Sequence, residues 1–160
     1  MKKSHRNKLI CERCKEPVKQ KDSFCPNCGG LFSDDLFCVN QKSVHANGVC
    51  VICSKPLCDK CGSEIHKTFL CDKHSVLDIY EGKVRVFGNT DNMKAQLTTT
   101  FLKQAGFHPF FYPRNFNPAF NWSIVGVRGI PNQHVMGFYI LVPFSEYLSA
   151  IKELKKHKLK

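Results

Sequence analysis

The chain has 160 residues and a formal charge of +11, set by 24 Lys and Arg against 13 Asp and Glu. That length suits one ordinary domain or two to three very small ones, and all ten cysteines lie before residue 72, which favours the latter. Ten thiolates and three dications would lower the charge to +7, so the raw figure argues less strongly for a nucleic-acid partner. The longest strongly apolar run, residues 135–144, contains Gly137 and Pro143 and falls far short of the roughly 20 residues a bilayer requires. No membrane association is expected.

Residues 1–8 carry Lys2, Lys3, Arg6 and Lys8 with no acid among them. A short basic terminus of this kind is first of all a solvated arm, with phosphate contact as the alternative. No apolar stretch precedes Cys11, so a secretion signal is not expected. A cytoplasmic, reducing setting follows, in which thiolates bind zinc instead of forming disulfides.

Cys11-x-x-Cys14 and Cys25-x-x-Cys28, ten residues apart, make a four-cysteine site. The two-residue gap turns both sulfurs of a pair toward one metal while backbone N–H groups point at them. Gly29 follows the last ligand, where positive φ is often needed. Residues 1–30, with Phe24-Cys25-Pro26-Asn27-Cys28-Gly29 as their most specific part, resemble the short zinc ribbon found near the N-termini of bacterial proteins. Residues 29–36 read as a linker.

From Cys38 to His74 the potential ligands fall into four pairs: Cys38 with His45, Cys50 with Cys53, Cys58 with Cys61, and Cys71 with His74. Eight ligands fill two tetrahedral sites. The pairs can be used in order, or alternately in a cross-brace, and His66 is the alternative to His45. Residues 37–75 resemble the B-box type of zinc finger, including its small bacterial forms, and the resemblance implies the alternating use. Leu57, Ile65, Phe69 and Leu70 are the expected apolar centre. Three zinc ions are expected in all, each in a site that protein ligands can close, as in a structural staple and unlike a catalytic zinc with an open position.

Beyond His74 the pattern becomes α+β. Residues 83–87 alternate as a strand, and Gly88-Asn89-Thr90-Asp91 offers a turn and a helix N-cap. A helix follows whose apolar stripe is Met93, Leu97, Phe101 and Ala105, widened by Leu102 and closed by Gly106. Strands are predicted over 107–112, 122–127 and 135–142, and a last helix, capped by Ser145, has Tyr147, Leu148, Ile151 and Leu154 on one face. The order is β-α-β-β-β-α. The turn before the first helix, Lys94-Ala95-Gln96, Ala105-Gly106-Phe107, Leu141-Val142-Pro143 and Ala150-Ile151 resemble a small prokaryotic domain assigned to signal transduction. The likeness spans residues 83–154 and implies, for a domain over 83–156, a ferredoxin-like arrangement and a regulatory or ligand-sensing role, with the small-molecule ligand unidentified.

Residues 107–122 interleave seven aromatic rings with Arg114, Asn115, Asn117 and Asn121. Core packing accounts for most such rings, and Arg114 and Trp122 are the first candidates for partner binding if a surface is involved. No nucleophile, paired carboxylates or phosphate-binding glycine loop is evident, so no enzyme is expected. The expectation is a zinc-stapled adaptor with a protein partner, and a nucleic-acid binder using the ribbon and basic ends is the competing class.

Overall fold

Sulfur and a few short aliphatic side chains are nearly all that leaves water in the first half of the chain, so the elements there are correspondingly small. In the computed structural model, residues 9–113 and 137–159 are described, and the chain divides into two units, Met1–Leu77 and Asp78–Lys160.

The first unit is built from two-stranded antiparallel ribbons: β1 (Leu9–Ile10) with β2 (Pro17–Val18), β3 (Gly48–Val49) with β4 (Pro56–Leu57), and β5 (Gly62–Ile65) with β6 (Thr68–Cys71). A single helical turn, α1 (Asp72–Ser75), follows. Between β5 and β6, His66 and Lys67 take φ of 48° and 62°, the left-handed pair that a two-residue hairpin turn demands. Val49, Leu57, Phe69 and Leu70 are buried and form the apolar centre, as expected for the last three. Ile65 is only half-buried.

The ribbon and the second module are stitched together where a linker was expected. The Val49 amide donates to the Gly29 carbonyl at 2.8 Å, and the Phe69 amide donates to the Cys28 carbonyl at 2.9 Å. Gly29 has φ of +76°, and a Cβ there would stand 2.1 Å from the Val49 carbonyl oxygen and 2.9 Å from Phe69 Cβ. Only a residue without a side chain permits this approach. Arg13 and Glu64 also pair across the seam, but both are exposed and add little.

The second unit carries one antiparallel sheet in the order β7 (Ile79–Tyr80), β8 (Lys83–Asn89), β10 (Phe138–Pro143), β9 (Phe110–Pro113). Helix α2 (Asn92–Gln104) joins β8 to β9, and β10 lies between those two strands, antiparallel to both, which makes β8 and β9 parallel. A 3-10 turn over Phe144–Glu146 leads into α3 (Tyr147–Lys156). The predicted strand at 122–127, with Arg114 and Trp122, lies outside the described residues.

Asp91 caps α2 as expected, its Oδ1 accepting from the Met93 and Lys94 amides at 2.9 and 3.3 Å. Asp91→Ala should therefore lower the stability of this unit by about 1 kcal/mol, measured by denaturant unfolding. The buried face of α2 differs from the predicted stripe. Met93 and Leu97 are 72% and 64% exposed, while Ala95, Thr98, Thr99 and Leu102 are buried. The Thr98 and Thr99 hydroxyls donate to the Lys94 and Ala95 carbonyls at 2.8 Å, which hides their polarity and lets them enter the core. The small Ala95 joins Phe87, Leu102, Ile140, Val142, Ala150 and Leu154 in one cluster. Ser145 sits inside the 3-10 turn and does not cap α3, and Leu148 is half-exposed.

The opposite face of the sheet is aromatic and cationic. The Tyr80 ring lies 5.7 Å from Tyr112 and 6.0 Å from Tyr139, Arg85 sits 4.8 Å over the Tyr139 ring, and Lys83 Nζ is 4.5 Å from the Phe110 ring centre.

Candidate metal centres

Three Cys-x-x-Cys pairs fold into the same knuckle. In each, the residue after the second cysteine donates its amide to the first cysteine's carbonyl, at 2.8 Å for Lys15 to Cys11, Gly29 to Cys25 and Ser54 to Cys50. The first cysteine's amide donates in turn to Glu16, Gly30 or Lys55, at 2.9, 2.8 and 3.0 Å. Closing this turn puts the residue after the pair in the left-handed region, with φ of 64° at Lys15, 76° at Gly29 and 55° at Ser54. The sequence marked only the glycine. The Cys11 and Cys50 knuckles sit at the tips of the β1–β2 and β3–β4 ribbons.

The knuckles bring ligand atoms together in three groups, each within 4.8 Å: Cys11, Cys14, Cys25 and Cys28; Cys50, Cys53, Cys71 and His74; and Cys38, Cys58 and Cys61. Each group can hold a metal ion, consistent with three zincs. Bonds of about 2.3 Å from zinc to sulfur imply tetrahedron edges of about 3.8 Å. The Cys11 and Cys28 sulfurs are 3.8 Å apart, and those of Cys14 and Cys25 are 3.5 Å apart. His74 Nδ1 lies 3.2 Å from the Cys71 sulfur and 3.4 Å from that of Cys50. Cysteine at the N-cap of α1 and histidine three residues on share one side of that turn, which is why this pair works at its spacing. The donor set and its dimensions fit zinc.

The second and third groups interleave along the chain, as a cross-brace requires and sequential pairing does not. His45 is not gathered with Cys38, Cys58 and Cys61. Its Nδ1 lies 2.9 Å from the Asp34 carbonyl oxygen and its ring packs on Phe37. His66 stays in its hairpin turn and joins no group. Beside Cys61 stands Gln41, with Nε2 3.8 Å from the sulfur. Among the described residues, two groups therefore gather four potential ligands, enough to close a tetrahedral site, and the third gathers three thiols.

Electrostatics divide each group into sulfurs that ionise readily and sulfurs that resist. Burial opposes ionisation of Cys11 and Cys38, but backbone hydrogen bonds from Cys14 and Arg13, and from Cys58, Asn40 and Gln41, outweigh it and bring both thiols down to about 7. Cys50 is lowered in the same way, against burial, by bonds from Cys53, Cys71 and Ile52. Burial, together with charge on Cys50, pushes Cys53 up to about 12, and burial raises Cys28 as well. Burial and the cations of Lys73 and Lys55 lower His74, keeping its ring neutral and able to donate a lone pair. A zinc ion held by these residues would replace the protons on the resisting sulfurs, so loading would release protons and affinity would weaken as pH is lowered.

No family model, no curated protein and no solved structure matches this chain. The cysteine clusters that could bind metal are consistent with zinc-finger-like modules, joined in one chain to a small sheet-rich unit. No described helix is long and apolar enough to cross a membrane.

Proposed function

We propose that the chain is a non-enzymatic adaptor or regulatory protein in which zinc staples a bacterial-type ribbon and a B-box-like cross-brace into one protein-binding surface. The observation that carries this reading is an open groove of about 830 Å³ beside the Cys11 knuckle, lined in part by Leu9, Ile10, Arg13, Val18 and Phe32. Leu9, Ile10 and Phe32 are exposed there, at 46%, 60% and 44%, although a small module would be expected to keep large apolar groups for its interior. Among the described residues strand β1 pairs with β2 alone, and an extended peptide can add to it by main-chain hydrogen bonds with apolar side chains seated in the groove. A ferredoxin-like arrangement and a signal-transducing or ligand-sensing role are proposed for the second unit, supported by the place of β10 between the two strands that α2 joins.

The sheet face of that unit favours a second reading. Rings from Tyr80, Phe110 and Tyr112 alongside Lys83, with Arg85 paired to Asp78 over the buried Tyr139, supply the stacking planes and cations that single-stranded nucleic acid needs. Fluorescence anisotropy with a labelled single-stranded oligonucleotide separates the two. The adaptor reading expects no affinity even at low salt, and capture of a protein partner that is lost on chelation and in Ile10→Asp. The nucleic-acid reading expects binding that weakens by roughly 10³ between about 50 and 200 mM salt for six phosphate contacts, and that is lost in Tyr112→Ala.

A further inference from the structure

The three metal groups are unequal, and we infer that Cys38, Cys58 and Cys61 hold a metal whose fourth position, at the corner occupied by Gln41, accepts an exogenous neutral nitrogen donor of the imidazole type. The two interleaved sites are assembled alike. In one, the Cys50 and Cys53 knuckle is completed by Cys71-x-x-His74. In the other, Cys58-x-x-Cys61 is completed by Cys38-x-x-Gln41, with the same spacing and a carboxamide where the partner site has imidazole.

The local backbone supports the equivalence. The Gln41 amide donates to the Cys38 carbonyl at 3.2 Å, a turn that carries residue 41 back over Cys38 and sets its side chain against the Cys61 sulfur. In that position the carboxamide donates an N–H to the thiolate, which steadies the ligand without being one. A neutral amide is a poor zinc donor beside thiolate or imidazole. His45 is turned to the Asp34 carbonyl, and among the described residues no fourth Cys, His, Asp or Glu joins the group.

Three protein ligands with a fourth supplied from outside is the ligand count of an open zinc site. Three thiolates on a dication leave one net negative charge, so a neutral donor is favoured over a second anion. Cys61 is half-buried, whereas Cys38 and Cys58 are buried, so access is from the side of Cys61 and Gln41. The exogenous donor would form one coordinate bond to the metal and release the water molecule that otherwise fills the fourth position of an open site, with no change in redox state.

The test uses the full chain loaded with cobalt(II), whose visible bands report the ligand set, and imidazole as the probe. Native mass spectrometry counts the metals on every sample. Imidazole should change the spectrum by the share of one ion in three. Gln41→His should abolish that response and slow the chelator-driven loss of this metal on the order of 10- to 100-fold, since even groups outside the coordination sphere shift metal affinity by that much. His45→Ala should leave the metal count and the imidazole response unchanged. A three-metal protein whose spectrum ignores imidazole, a Gln41→His variant that still responds, a His45→Ala variant that loses the third metal, or a wild-type chain that loads only two ions would each overturn the inference.

Discussion

Stripping the metals from the intact chain should unfold residues 9–77 and leave residues 78–159 folded. The interior of the first unit is sulfur from Cys11, Cys25, Cys28, Cys38, Cys50 and Cys58 around a few apolar side chains such as Val49, Leu57 and Leu70, and its strands are two to four residues long. Segments of that size do not bury enough apolar surface to offset chain entropy, whereas a structural zinc contributes about 10–16 kcal/mol of apparent binding free energy in finger peptides. The second unit has its own cluster around Leu102, Ile140 and Leu154, and no cysteine. Hydrogen exchange before and after chelation under reducing conditions reads both units at once. Protection of Val49, Leu57 and Phe69 should vanish, while that of Ile140 and Leu102 should persist. The amides of Val49 and Phe69 are bonded to Gly29 and Cys28, so Cys25→Ser should also loosen the second module, beyond removing one metal. Survival of the first unit's protection in metal-free protein would show that apolar packing, and not coordination, holds it.

Gly29→Ala is expected to be the most damaging single-methyl change in the first unit. The left-handed φ alone costs about 1–2 kcal/mol with a side chain, and forcing a Cβ against the Val49 carbonyl and Phe69 adds an overpacking penalty, so the loss should be roughly 2–5 kcal/mol. Gly106 is the matched control, because its φ is +86° and a Cβ there meets nothing within 4 Å. Gly106→Ala should cost only the backbone part, about 1–2 kcal/mol. Thermal unfolding of the two variants, each read in its own unit, makes the comparison. Equal losses would mean that the seam between ribbon and second module yields easily, and that the two are less closely joined than the Gly29 contacts imply.

Much of the metal chemistry was legible because a Cys-x-x-Cys pair is a local device. Its turn, its N–H groups and its sulfurs lie within six residues, and three such pairs fold here with the same hydrogen bonds. The Asp91 cap and the Gly106 stop of α2 are local in the same sense. Legibility failed where a residue's role depends on what faces it. Counting apolar residues picked Met93 and Leu97 for the buried side of α2, but two threonines that satisfy their own hydroxyls lie there instead. The spacing that marks Cys71 and His74 also marks Cys38 and Gln41, but glutamine carries no metal-binding signal, whereas His45 does and yet is turned to the Asp34 carbonyl.

By itself, then, the sequence determined which cysteines act in pairs, that the first half carries enough of them for three metal groups, and where the main helix of the second half begins and ends. Each of these is decided by atoms a few bonds apart along the chain. Tertiary structure alone decided that the pairs interleave, that ribbon and second module meet through Gly29, which side of α2 is buried, and that the third metal group gathers three thiols. Those outcomes depend on distances between residues far apart along the chain, as between Ala95 and Leu154, and such distances exist only once the backbone has closed on itself.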